Sequence, residues 1–289
     1  MRLDKGNLAG AATDAAAITN NAFTYKMPYY QTELDQYNRI YWASANQPYR
    51  AHTVWNTPYD AYRKATRDPR VPFDSSATVL VGDAAESVVR AENTSVYLSG
   101  IEIRSNGRAR AISATRTKMA LQECVLAGNR VRGDDDLLEG AGMWCVDSAV
   151  RIQKSMLIGN SIEAPKGEAR GGALHCTDCK VEIAGCTLQA NTLHAGTGAK
   201  GAGVYLARCR LRLWRSRVTD NALFAASGEG AGVYCEDSAA QLGGSVITGN
   251  SAHSGVGAGL YVRGATGEVA VHGNTVVRQN YPDDQLFQQ

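Results

Sequence analysis

No stretch of this 289-residue chain approaches the ~18 consecutive apolar residues of a membrane-spanning helix, so a helical span is excluded. Neither sign of charge is in surplus. The 30 Lys and Arg face 28 Asp and Glu, and no chain-wide basic field argues for nucleic acid. Proline is scarce and unevenly placed, with five of the seven between Pro28 and Pro72. The opening MRLDKGNLAGAATDAAAITNN lacks the continuous apolar core of a secretory signal. The expectation is therefore an intracellular setting (a cytoskeletal, ciliary or organellar complex), a virion, or a chain already processed. The cysteines are odd in number, seven, and all fall at recurring positions. They read as reduced core thiols rather than a disulfide framework.

What the chain does have is repetition. AGVYCEDSAAQLGGSVITGN (231–250) is preceded by GAGVYLARCRLRLWRSRVTDN (201–221), GGALHCTDCKVEIAGCTLQAN (171–191) and AGMWCVDSAVRIQKSMLIGN (141–160). Each copy ends in asparagine. Asn106, Asn129, Asn160, Asn191, Asn221, Asn250 and Asn280 are spaced by 23, 31, 31, 30, 29 and 30 residues. A period of this size means stacked units that cannot bury a core alone. Many of the 30 glycines recur at fixed places and mark turns.

Counting back from each asparagine sorts the residues into columns. Seventeen before it stand Ile112, Met143, Leu174, Val204 and Val233; ten before it, Val96, Met119, Val150, Val181, Leu211 and Ala240. Eight before it are Leu98, Leu121, Ile152, Ile183, Leu213 and Leu242; three before it, Ile103, Leu126, Leu157, Leu188, Val218, Ile247 and Val277. The two-residue offset between columns ten and eight is the strand period, with one face inward. Three short strands per coil and an asparagine at a fixed corner predict a right-handed parallel β-helix of about seven coils over 77–280. The stacked asparagines would form a hydrogen-bonded ladder. The all-β rod would be followed by a tail at 281–289.

The first 76 residues do not repeat. TDAAAITNNAF (13–23) suits a short helix with Thr13 as N-cap. Residues 1–56 read as an extended docking arm rich in aromatics: Tyr25, Tyr29, Tyr30, Tyr37, Tyr41, Trp42, Tyr49 and Trp55. The prolines there oppose long regular elements. Residues 57–76 hold a capping helix and linker, since Thr57, Pro58 and Asp60 make a capping-box-like start. Such a helix would cover the open end of the rod.

The motifs GGAL, AGVY, AGLY and AGMW, each followed by an Asn-ended strand (LQAN, VTDN, LIGN), resemble the repeats of polymorphic outer-membrane and autotransporter passenger proteins. More broadly the chain from about 78 to 280 resembles the pectin-lyase-like β-helix superfamily. The resemblance implies the fold. The chain lacks the Phe of the adhesin FxxN motif, so the adhesin function is not implied with it. Lyases of the superfamily gather several Asp for calcium, and a column thirteen before the asparagine (Arg116, Asp147, Asp178, Arg208, Asp237) has a superficial likeness to that. Stacking would bring Asp147 and Asp178 to about 5 Å, a separation a retaining glycosidase could use. Their contexts CVDS, CTDC and CEDS read better as turns, where Asp accepts local backbone N–H groups. No catalytic residue is assigned.

Sixteen before the asparagine stand Trp144, His175, Tyr205 and Tyr234, continued by Tyr261. This column points outward and is expected to be an exposed aromatic stripe that binds a partner, a sugar or the chain's own arm, or simply strand-suited aromatics that stack. Cys176-Thr-Asp-Cys179 has no second ligand pair, so no metal is expected. The segments after each asparagine, from RVRGDDDLLEG to SAHSGVG, read as loops forming a graded ridge. The expected function is a non-enzymatic structural block without cofactor, docked to other protein subunits through arm and stripe. The alternative is a carbohydrate-binding or polysaccharide-cleaving β-helix of phage-spike or exported-adhesin type, with Tyr205, Tyr234, Asp147 and Asp178 on the glycan.

Overall fold

The structure, a computed structural model, describes residues 2–3, 16–19, 78–82, 87–105, 107 and 109–288. The expected docking residues from Tyr25 to Trp55, the capping helix at 57–68 and Asn106 lie outside the described residues. Every regular element among the described residues is a β-strand. No helix there is long and apolar enough to cross a membrane.

One turn of the rod shows how the sequence builds it. Leu174–Thr177, Lys180–Ala184 and Thr187–Gln189 are the three expected strands, and Thr192–Ala195 and Gly198–Lys200 are two more. Each pairs in parallel with its counterparts one turn away, giving five sheets. Sheet A contains Lys180–Ala184, sheet B Thr187–Gln189, sheet C Leu174–Thr177, sheet D Thr192–Ala195 and sheet E Gly198–Lys200. Sheets D and E have five strands each, so five turns are complete, and partial turns at both ends bring the count to about six. The segments expected as loops are thus strands. Ile162, Ala164, Ala169, Leu193, Ala199 and Leu223 point between sheets D and E and form a second apolar core. Small side chains let this lobe close, and burying them supplies what a loop ridge would lack.

The main core holds the predicted inward columns: Met143, Leu174, Val204 and Val233, with Val181, Leu211, Ile183 and Leu213, are all buried. Between strands the chain bends at single residues in the left-handed region. These include Asp147 (φ 49°), Asp178 (φ 55°), Arg208 (φ 52°) and Asp237 (φ 48°) at one corner, and Gly171 (φ 67°) and Gly201 (φ 63°) at another. Gly171 is required, because a Cβ there would stand 2.6 Å from the Cβ of His175. Stacking adds a second demand: a Cβ at Gly172 would come 2.6 Å from the Ala202 carbonyl oxygen of the next turn.

The asparagine ladder is present. Nδ2 of Asn129, Asn160, Asn191, Asn221 and Asn250 donates to the next Oδ1 at 2.8, 3.0, 2.8, 2.8 and 2.8 Å. Each Oδ1 also accepts the backbone N–H of the preceding asparagine, as Asn191 does from Asn160 at 3.0 Å. Nδ2 of Asn191 reaches the Leu157 carbonyl at 3.1 Å. A buried amide is tolerated because its donors and acceptor are all used. The ladder ends on Asp284, whose Oδ1 accepts from Asn280 N and Nδ2 at 2.9 and 3.0 Å. A carboxylate oxygen can take that last place because the place only requires an acceptor.

Cys124, Cys179, Cys186 and Cys209 form inner-corner ladders with serines, while Cys145, Cys176 and Cys235 pack into the main core from sheet C. Cys179 N–H donates to Cys209 Sγ at 3.2 Å, and Cys209 N–H to Ser238 Oγ at 2.8 Å. All seven are free and buried. Burial pushes the thiols of Cys124 to about 11 and of Cys186 and Cys235 to about 12.

Three boundary expectations are corrected. Ala16–Thr19, inside the expected helix at 13–23, is a strand pairing antiparallel with Thr78–Gly82. Arg2–Leu3, inside the expected arm, pairs in parallel with Ser95–Ser99. An open sheet edge offers unpaired backbone N–H and C=O groups, and pairing outweighs the weak helix signal. The tail likewise continues the rod, since Gln285–Gln288 pairs in parallel with Leu260–Arg263.

Candidate functional site

The aromatic column sixteen before the asparagine is in register on sheet C, where Trp144, His175, Tyr205, Tyr234 and Tyr261 follow one another turn by turn. His175 and Tyr205 stack with ring centroids 4.9 Å apart, Tyr205 and Tyr234 at 5.2 Å, and Tyr234 and Tyr261 at 5.1 Å. The stacking is as expected, but the exposure is not. His175 is 2 % exposed, Tyr205 1 %, Tyr234 0 % and Tyr261 1 %; only Trp144 is half-buried. The column points away from the main core, yet it lies in the angle between sheets C and E. Long side chains from the ends of sheet-E strands fold over it. Arg170 lies 5.5 Å from the Tyr205 ring centre and Lys200 5.4 Å from that of Tyr234, while Arg110 caps Trp144 at 5.5 Å. These are cation–π distances in a desolvated site.

The polar ends of the column are held in the same way. Trp144 Nε1 donates to Glu139 Oε2 at 3.0 Å, and Glu139 Oε1 stands 3.2 Å from His175 Nε2. Burial alone would raise the Glu139 carboxyl. The adjacent His175 ring opposes it, with help from Trp144 and Arg170, and brings it down to about 2. Tyr205 donates to Glu236 at 3.1 Å and Tyr261 to Gln288 at 2.6 Å, and burial pushes both phenols above their ordinary range. Among the described residues the Tyr234 hydroxyl has no aligned hydrogen-bond partner. A column so covered rigidifies the rod and offers little surface to a ligand.

The aspartates thirteen before the asparagine are corner residues with positive φ, as the turn reading expects. Asp178 is gripped by Arg208, Nε to Oδ1 and Nη2 to Oδ2, both at 2.8 Å. That bidentate pair holds the Asp178 carboxyl below its ordinary range. Among the described residues, no group of three or more His, Cys, Asp or Glu is gathered as metal ligands.

An exposed ring column does exist, one sheet further round. Arg132, Glu163, His194, Phe224 and His253 stand three residues after successive asparagines, on the outer face of sheet D. His194 stacks on Phe224 at 4.6 Å, and Phe224 meets His253 at 4.7 Å. Phe224 is 37 % exposed. Beside it lies an open groove of about 500 Å³ lined by Arg132, Glu163, Pro165, His194, Ala195, Gly196 and Phe224. Glu163 is ion-paired with Arg130 and lies 3.5 Å from Arg132. Burial lowers the His194 imidazole below its usual range. The signal was available in the sequence: counting forward from each asparagine finds this column as counting back found the other.

Five parallel sheets wound on one axis define a parallel β-solenoid. The chain belongs to the right-handed β-helix family, whose model (right handed beta helix region) matches residues 87–276. This agrees with the resemblance to pectin-lyase-like β-helices. Neither the curated proteins nor the solved structures contain a match to the chain.

Proposed function

We propose that the protein is a non-enzymatic, rigid block of a larger assembly, and that it docks to another protein through the sheet-D face rather than the buried sheet-C column. The observation that carries this reading is the exposed His194–Phe224–His253 column beside a polar-rimmed groove. An exposed phenyl ring held in register on a rigid sheet costs little further entropy to bind, and aromatic and Arg groups are enriched at interfaces. The aromatic part, Tyr25 to Trp55, of the arm that the sequence places at 1–56 is a second contact in this proposal.

A glycan reading has one observation in its favour, namely rings beside the Glu163 carboxylate and the Arg132 guanidinium. Sugars bind aromatic rings through their faces, however, and both faces of Phe224 are occupied by His194 and His253. The edges that remain suit the packed side chains of a protein partner better.

The test is incorporation of tagged protein into a high-mass complex in its native cells. Phe224→Ser and in-frame excision of 20–56 should each release the rod as a lower-mass species without altering its far-ultraviolet spectrum. The excision begins at 20 so that the strands at 2–3 and 16–19 are kept. Full incorporation of both variants would overturn the proposal, and a glycan array giving strong Phe224-dependent binding would favour the alternative.

A further inference from the structure

The near-neutral composition of the whole chain conceals a concentration of charge on one strand. Residues 208–217 read RCRLRLWRSR, five arginines and a tryptophan in ten residues. In Arg210–Trp214 the alternation buries Leu211 and Leu213 and leaves Arg210 and Arg212 exposed on the outer face of sheet A. Arg215 and Arg217 continue the line around the next corner and are also exposed. On neighbouring strands Lys180 stands in register beside Arg210, and exposed Lys118 extends the patch two turns further.

Two cations of this region are neutralised, and Glu182, which holds one of them, stands in register beside Arg212 on the same face. Arg151 is held by Glu182 at 3.0 Å and Arg208 by Asp178 at 2.8 Å. By contrast, Lys118, Lys180, Arg210, Arg212, Arg215 and Arg217 have no carboxylate within 4.0 Å among the described residues. Like charges opposite each other on adjacent strands, as at Lys180 and Arg210, are destabilising. Glu182, in register with Arg212, is already held by Arg151, so cations outnumber carboxylates along this strand.

Trp214 sits within the line, half-buried. Its indole leans over the next turn, where only a glycine fits: a Cβ at Gly243 would overlap the ring. One face is turned to His272, with centroids 5.8 Å apart. On the other side, in register, stands the small side chain of Ala184. Among the described residues no second ring stacks on the indole from that side.

From this arrangement we infer that the outer face of sheet A binds single-stranded nucleic acid, the arginines taking phosphates and Trp214 stacking a base. Guanidinium forks match phosphate oxygens in pairs, and a basic track with interleaved aromatics tolerates any sequence. The flat face projects no element that could enter a duplex groove. It also carries few of the exposed large apolar side chains (Leu137, Phe224, Val256, Val271, Tyr281 and Phe287), since only Val271 belongs to sheet A. An anionic bilayer would gain little by insertion there.

The experiment titrates full-length protein against a fluorescein-labelled oligo(U) of about 20 nucleotides, in salt rising from about 50 to 200 mM. Binding should weaken log-linearly with salt. Arg210→Gln/Arg212→Gln should lower affinity at least about tenfold and reduce the salt slope by about 1.4, two single-strand phosphate contacts. Trp214→Phe should remove much of the oligo-induced quenching of tryptophan fluorescence with a smaller loss of affinity. Lys166→Gln, in the turn between sheets D and E where Lys166 pairs with Asp134 at 2.7 Å, should bind as the parent does. The inference is overturned by no binding at the lowest salt, by a double variant that binds like the parent, or by tighter binding of poly-glutamate or phosphatidylserine vesicles than of oligo(U).

Discussion

The rod carries two aromatic columns built by the same device, and they have opposite fates. On sheet C, His175, Tyr205, Tyr234 and Tyr261 stack at 4.9–5.2 Å and are almost fully buried. On sheet D, His194 stacks on Phe224 at 4.6 Å and His253 meets it tilted at 4.7 Å, with Phe224 open to solvent. Both columns point away from the core they stand on, so side-chain alternation does not distinguish them. What differs is the neighbour around the corner. Sheet C meets sheet E at the tight Gly171 and Gly201 turns, and Arg170 and Lys200 at the ends of sheet-E strands lie over the rings. Sheet D has an open groove beside it. Outward and exposed are therefore separate properties: the first belongs to a strand and the second to the packing of sheets.

The largest expected effect comes from breaking the covered column. Tyr234→Ala removes a fully buried ring with neighbours on both faces, and should destabilise the rod by about 3–5 kcal/mol. Denaturant unfolding measures this, and a loss under about 1 kcal/mol would show that the column is not part of the packed structure.

A smaller effect should appear in acid. The Glu139 carboxyl falls from an ordinary 4.5 to about 2 in the folded protein. A depressed folded value means that its stabilisation is fully present above the unfolded value and is lost as pH falls through the folded one. Between pH 4.5 and about 2 the parent should therefore lose about 1–3 kcal/mol that Glu139→Gln does not lose, the two converging at the acid end. Parallel pH–stability curves for the two proteins would remove Glu139 from the account of what covers the rings.

The smallest effect sharpens the contrast. Phe224→Ala should change stability by less than about 1 kcal/mol, because the ring is already partly in water. Equal losses for Phe224→Ala and Tyr234→Ala would erase the distinction between the columns.

Much of this architecture was legible before any coordinates. The asparagine spacing located the turns, and the inward columns from Met143 to Val233 and from Val181 to Ala240 are buried as the alternation demands. The ladder followed from a single residue type at a single corner. Less legible were sheets D and E, because strands such as Gly198–Lys200 and Ser227–Glu229 are short and glycine-bearing. They gain strand conformation from pairing with the turns above and below, not from their own preference. The same holds for Ala16–Thr19, whose local sequence suits a helix and whose place at a sheet edge makes it a strand.

The sequence by itself determined the repeat, the inward faces and the asparagine rungs, since each depends on periodicity and on chemistry within one strand or corner. Only the tertiary structure decided which outward residues reach solvent. Tyr234 and Phe224 are equally outward in their strands. Whether a neighbouring sheet's side chains arrive to cover them depends on corner geometry and on residues such as Lys200, 34 positions before Tyr234 in the chain. Burial of a surface is a property of both sides of a contact, and one strand supplies only one of them.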